Sequence, residues 1–190
     1  MTDAIRGNAS EAGADRLRWT SVPRWPAPEL PAAASYLACG FGDAGERAFR
    51  ALLAEADPAV PVRTAVFAAH WDPAAEAGLR RLVGDSRTGV RIILAGPESM
   101  VLRAAAVARQ RGAASEELVL VATESAGQYV AGPAARRVFC AACRAPFDAR
   151  AALGEVVTCP GCQAGLIVDC RFSRPHAAYF GWPARPGRPR

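Results

Sequence analysis

Ser35-Tyr36-Leu37-Ala38-Cys39-Gly40-Phe41-Gly42-Asp43-Ala44-Gly45 decides the fold of the first two-thirds of the chain. A short apolar run ends in closely spaced glycines, and Phe49, Leu52, Leu53 and Ala56 then recur at helical spacing. That is a buried strand, a tight turn and an amphipathic helix. The same alternation repeats downstream. Thr64-Ala65-Val66-Phe67-Ala68-Ala69, Val90-Arg91-Ile92-Ile93-Leu94-Ala95 and Leu118-Val119-Leu120-Val121-Ala122 read as buried strands. Ala75, Leu79, Leu82 and Val83, and then Val101, Ala104, Ala105 and Ala108, mark the helices between them. Near-continuous apolar strands separated by amphipathic helices predict a small parallel sheet of about four strands, covered on both faces. Ligands of such sheets bind beyond the carboxyl ends of the strands.

The glycine loop Gly40-Phe41-Gly42-Asp43-Ala44-Gly45 satisfies G-x-G-x-x-G in its strand–turn–helix context. Gly40, Gly42 and Gly45, with Gly96 and Pro97 after the third strand, are therefore the candidate cofactor-binding residues. Two features oppose a bound dinucleotide. Asp43 puts a negative charge inside the loop, and no acid closes the second strand about twenty residues on. The alternative is a tight turn with Asp43 capping the helix.

Upstream, residues 1–34 have no sustained period, and Pro23, Pro26, Pro28 and Pro31 exclude helix across that stretch. They read as an extended proline-rich arm, pinned to a surface by Trp19 and Trp25. Downstream, residues 126–136 read as a linker, 137–181 as a separate cysteine module, and 182–190 as a disordered Pro-, Gly- and Arg-rich tail.

The module is defined by Cys140-x2-Cys143 and Cys159-x2-Cys162. A two-residue gap lets a tight turn aim both sulfurs at one ion, and two such turns complete a tetrahedron. The spacing predicts a structural zinc ribbon, its two turns brought together by a hairpin. Iron is the alternative, because Cys159-Pro160-Gly161-Cys162 also resembles a rubredoxin knuckle. Four protein sulfurs leave no open position for water. Cys39 and Cys170 read as small packed residues, and His70 and His176 as ordinary packed or surface side chains. No side chain is assigned a catalytic role.

Composition bounds the rest. At 51% hydrophobic and 22% charged, the 190 residues can form a packed core. The chain contains no Lys. Residues 1–135 hold 14 Arg against 15 acids, and residues 136–190 hold 9 Arg against 3. The basic excess is therefore confined to the cysteine module and tail. No apolar run reaches the length of a membrane span, and the first residues lack the apolar core of a secretion signal, so a cytoplasmic location is expected. A zinc-ribbon nucleic-acid-binding protein would explain the basic end, but the ribbon shows no base-stacking aromatic stripe in sequence.

Residues 35–125 resemble the nicotinamide-binding half of ferredoxin-reductase-like enzymes, through the Gly96-Pro97 turn, Met100 in the following helix and Glu124 after the last strand. The chain departs from that pattern. It has no room for the flavin-binding barrel upstream, and one strand–helix unit is missing. The resemblance therefore implies a reductase-like fold in which NAD(P) binding and independent turnover have been lost.

The end of the chain is more specific. Val138-Phe139-Cys140 through Cys143, Val157-Thr158-Cys159 through Cys162, Leu166-Ile167-Val168, and Phe172-Ser173-Arg174-Pro175-His176-Ala177-Ala178-Tyr179-Phe180-Gly181 resemble the DmmA-like subunit of bacterial dimethylamine monooxygenase. That resemblance implies a non-haem accessory subunit of a complex that removes a methyl group from a secondary amine. Its partners would be a haem-containing oxidase subunit and a flavin/iron–sulfur reductase subunit. Phe172, Tyr179 and Phe180 are the expected aromatic anchors for them. The competing reading from the glycine loop is a stand-alone nucleotide-binding oxidoreductase.

Overall fold

A computed structural model describes residues 21, 23, 25–124 and 132–184. Trp19, residues 126–131 of the expected linker and residues 185–190 of the tail lie outside the described residues.

The first unit is the parallel sheet that the sequence predicts. Strands β1 (Ser35–Phe41), β2 (Val62–Phe67), β3 (Val90–Gly96) and β4 (Leu118–Ala122) pair in the order β2-β1-β3-β4, all parallel. Helices α1 (Gly42–Leu53), α2 (Pro73–Gly84) and α3 (Glu98–Gln110) connect them. The period-two alternation of a strand distributes its side chains between two cores. Tyr36, Ala38, Ile93 and Ala95 meet Phe49 and Leu52 of α1 on one face. Leu37, Cys39, Phe41, Ile92 and Leu94 meet Leu79 of α2 and Val101, Ala104 and Ala108 of α3 on the other. The connections reverse between β1 and β3, so the topological switch point lies where Phe41 and Gly96 end their strands.

Asp72 caps α2, accepting from the Ala75 amide at 2.7 Å, with Pro73 in the first turn. The expected cap at Asp43 is corrected. The residue before α1 is Phe41, whose side chain cannot cap, and Asp43 lies within the first turn, where its negative charge complements the positive end of the helix dipole.

The second unit is a five-stranded sheet of β5 (Ala134–Cys140), β6 (Pro146–Ala151), β7 (Val156–Thr158), β8 (Gly165–Ser173) and β9 (Ala178–Pro183), in the order β6-β5-β9-β8-β7. Two boundaries move. Ala134–Arg136, read as linker, begin β5, and Trp182 and Pro183, read as disordered tail, end β9. The hairpin expectation is also corrected. The two strands between the cysteine pairs do not pair with each other: β6 pairs with β5, β7 with β8, and β9 stitches the two hairpins together. The stitch needs Gly181, since a Cβ there would stand 2.8 Å from Val138 Cγ1 and 3.0 Å from Leu166 Cδ1. Val138 and Leu166, reaching over β9 from the strands on either side, account for a glycine at this point of the tail.

The units share an interface. Leu102 and Ala106 of α3 pack on the ribbon core of Val138, Val168, Phe172 and Tyr179. Arg103 of α3 reaches Asp148 of β6 at 2.7 Å. No helix among the described residues is long and apolar enough to cross a membrane.

Candidate metal centre and the switch-point crevice

Each cysteine pair sits at the tip of one hairpin. Cys140 ends β5, and Cys159 follows β7 directly. In both turns the first cysteine's carbonyl accepts an amide four residues on, from Arg144 at 2.8 Å and Gln163 at 2.9 Å. Arg144 and Gln163 both have φ of 62°, the left-handed turn that lets the chain leave each knuckle. The two knuckles thus repeat one geometry, and their ligands alternate. Cys140 and Cys159 are buried against Leu166, while Cys143 and Cys162 are exposed.

The four sulfurs lie within 4.8 Å of one another. Cys140 Sγ and Cys162 Sγ are 3.7 Å apart, and Cys143 Sγ and Cys159 Sγ 3.6 Å. A tetrahedron with zinc–sulfur bonds of about 2.3 Å has edges of about 3.8 Å. The four thiolates therefore fit one tetrahedral ion and could hold a metal. Without an ion the thiols hold their protons unevenly. The backbone amide of Cys162, seconded by that of Gly161, draws Cys159 down to about 7; against the pull of the Ala145 backbone, desolvation and the neighbouring thiols together push Cys143 up to about 12. The two remaining cysteines are of another kind. Burial pushes Cys39 up to about 12. Burial, then the Asp169 carboxylate, raises Cys170. Neither is an activated nucleophile.

The glycine loop is placed at the switch point as the motif requires, but its glycines are tightly enclosed. A Cβ on Gly45 would lie 2.3 Å from the Ala95 carbonyl oxygen, so α1 is held against β3 by the absence of a side chain. A Cβ on Gly40 would meet the Glu46 amide at 2.8 Å, and one on Gly96 would meet Phe41 Cβ at 2.8 Å. Gly42, at φ 69°, is enclosed by Ala69, whose Cβ lies 2.9 Å from the Cβ position. A Gly45→Ala substitution is expected to push α1 outward and to lower stability by about 1–3 kcal/mol, read as a shifted urea midpoint with an unchanged slope.

Phe41 itself fills the crevice, its ring 5.4 Å from Phe67 and 5.9 Å from Trp71. Beside it, Gly96-Pro97 leads into α3, whose first residue, Glu98, is only 4% exposed. Trp25 of the proline arm donates Nε1–H to Glu98 at 3.2 Å, and Tyr179 of β9 donates its hydroxyl at 2.7 Å. Arg136 of β5 stands 3.8 Å from the same carboxylate and lies over the Tyr179 ring at 5.1 Å. Arm, sheet domain and ribbon therefore meet at one buried carboxylate. Sequence reasoning anticipated only that Trp25 would pin the arm. A cavity of about 370 Å³ remains beside α1 and β4, lined by Trp25, Pro26, Ala44, Arg47 and Thr123 among others.

Two expectations about the ribbon surface are corrected. Phe172 and Tyr179 are not available as partner anchors, because both point into the ribbon core, edge to face at 5.1 Å. An aromatic row does exist on the opposite face, contrary to the sequence reading. His176 stacks on Phe139 at 4.3 Å, Phe139 meets Phe180 at 5.9 Å, and Phe180 stacks on Trp182 at 5.8 Å. His70 is exposed, 3.4 Å from Asp72.

A parallel α/β body locked to a four-cysteine ribbon is the class of protein that this fold and site define. Within it, residues 137–182 match the family "Dimethylamine monooxygenase subunit DmmA-like, C-terminal domain". The ribbon is thus similar to that domain, with all four cysteines inside the matched segment, and the N-terminal parallel sheet fits a reductase-like domain. No curated protein matches the chain, and no solved structure does.

Proposed function

We propose that this protein is a cytoplasmic accessory subunit of a multi-subunit dimethylamine, or related secondary-amine, monooxygenase. In that role it supports assembly or electron delivery for oxidative N-demethylation. The observation that carries this reading is the match of residues 137–182, with its four-thiolate cluster intact, to the DmmA-like C-terminal domain. Zinc is the ion that suits a closed set of four thiolates. It would supply structure, with no open position at which to activate water. Haem, flavin and iron–sulfur chemistry would reside on the partner oxidase and reductase subunits.

The α/β body supports a non-enzymatic role. The glycines of the loop are enclosed by Glu46, Ala69, Ala95 and Phe41, and Asp43 adds a negative charge at the helix start where a phosphate would sit. The opening of about 370 Å³ beside α1 lies at the low end for ligand pockets and is roofed by the arm. Titration of the protein with NADH and NADPH is expected to give no saturable fluorescence change up to millimolar cofactor. Micromolar binding would revive the stand-alone oxidoreductase.

The direct test is co-expression with the haem-containing oxidase subunit and the flavin/iron–sulfur reductase subunit of such a complex. Stoichiometric co-purification is expected, with amine-dependent NAD(P)H oxidation that collapses when this chain is omitted. A stable monomer, together with full turnover in its absence, would sink the proposal.

A further inference from the structure

The outward face of the ribbon carries an apolar band that crosses the sheet strand by strand. Pro146 of β6 faces Phe139 of β5, which faces Phe180 of β9. Trp182 of β9 faces Ile167 of β8, which faces Val156 of β7. Trp182, Ile167 and Val156 are 42%, 39% and 56% exposed, a contiguous apolar group that a sheet normally covers.

At its other end the band runs, through His176, into a polar cleft of about 200 Å³ between α2, α3 and β5. Three guanidiniums line that cleft. Arg80 is paired with Glu76 at 2.8 Å, and Arg103 with Asp148 at 2.7 Å. Arg137 is the one left over. Its side chain is half-buried, and its Nε has no hydrogen-bond partner among the described residues. Burial, and then the neighbouring Arg103 charge, push its pKa down, against the smaller opposing pull of Glu76 and of Asp148, which stands opposite it across β5 and β6.

Resting on the accessory-subunit reading, we propose that this band and cleft form one docking surface for an acidic–apolar segment of a partner protein. A carboxylate of that segment bonds Arg137, and the apolar side chains that follow cover Phe180, Trp182 and Ile167. Charge complementarity selects the occupant, since two of the cleft's three guanidiniums are already ion-paired and Arg137 is the cation that a partner's acid can still engage. The geometry favours protein over single-stranded nucleic acid. The rings lie against one another, at interplanar angles of 16° for Phe139–His176 and 21° for Phe180–Trp182, so their faces are already used. Carboxylates also punctuate the cations. Besides the pairs in the cleft, Arg171, which lies over Trp182 at 5.4 Å, is bonded to Asp169 at 2.9 Å. A continuous phosphate backbone needs a run of uncompensated cations, whereas a peptide with one well-placed acid needs one.

The test uses the full-length, metal-loaded chain and three probes: a random glutamate–tyrosine copolymer, polyglutamate and a dT20 oligonucleotide. The copolymer should bind, polyglutamate more weakly and dT20 weakest. Arg137→Gln and Trp182→Ala should each weaken copolymer binding at least about tenfold at unchanged metal content, while Val62→Thr on the far β2 edge leaves it unaltered. Absence of copolymer binding, equal weakening by the β2 substitution, or tighter binding of dT20 at the same residues overturns the proposal. Failure to co-purify with oxidase subunits, with copolymer binding and its mutational pattern intact, removes the monooxygenase assignment alone.

Discussion

Removal of the metal, by chelation or by Cys140→Ser, is expected to unfold the ribbon from residue 134 to 183. The magnitude decides this. Structural zinc in small peptides contributes on the order of 10–16 kcal/mol, while a whole domain is stable by roughly 5–15 kcal/mol. A ribbon of this size cannot replace the ion with its own core. The residues beneath the metal, Cys140, Cys159 and Leu166, make a small cluster of their own, and Gly181 in their midst contributes no side chain. Hydrogen exchange should show loss of protection at β5, β8 and β9. Cys140→Ser and Cys159→Ser should be more damaging than substitution of the exposed Cys143 and Cys162, because they also place a hydroxyl in the packed layer. Uptake of zinc by the stripped protein should weaken as pH falls, since each thiol must lose its proton to bind. Retained protection in β8 and β9 of a metal-free protein would contradict the structural role of the site.

What the sequence makes visible, and what it hides, follows from the range of the interactions. The parallel sheet is legible because each strand is a continuous apolar run and each helix has its own period; Ile92, Ile93 and Leu94 need no distant partner to be recognised as buried on both faces. The four ligands are legible because their two-residue spacing is itself the geometry. The ribbon's strand order is not legible. β6 and β7 are neighbours in sequence but stand at opposite edges of the sheet, and only the return of β9 decides that. The directions of Phe172 and Phe180 are, by contrast, carried by simple alternation. Leu166, Val168 and Phe172 are buried along β8 and Tyr179 and Gly181 along β9, while Ile167, Arg171 and Trp182 turn outward, and the irregularity that sets three residues of β8 opposite one of β9 keeps that parity. The Glu98 contacts span 73 residues to Trp25 and 81 to Tyr179, and no local pattern announces a pairing at that distance. An acid in the first turn of a helix is ordinary; the sequence holds no sign that this one is buried.

That buried carboxylate gives the second large effect. Glu98→Ala is expected to destabilise the protein by about 3–5 kcal/mol, the cost of removing one member of a buried ion pair. Arg136, only 1% exposed, is the other member, and its guanidinium stays pinned over the Tyr179 ring. Tyr179→Phe removes one short hydrogen bond to an ionised acceptor and should cost about 1.5–3 kcal/mol, read from urea unfolding. Glu98→Gln, which keeps an acceptor for Trp25 and Tyr179 but loses the charge, should fall below the alanine variant in cost. The informative measurement is the cycle of Glu98→Ala with Tyr179→Phe. If the two groups act through one contact, the double variant costs clearly less than the sum of the singles. Strict additivity would mean that ribbon and sheet domain are held by the Leu102 and Ala106 packing and the Arg103–Asp148 pair, without help from Glu98. The coupling also bears on how the subunit can work. A ribbon joined to the body only by apolar contacts could swing when a partner binds. Fixing arm, body and ribbon to a single carboxylate makes them one rigid piece, so that anything docking on the ribbon would meet it in a set orientation.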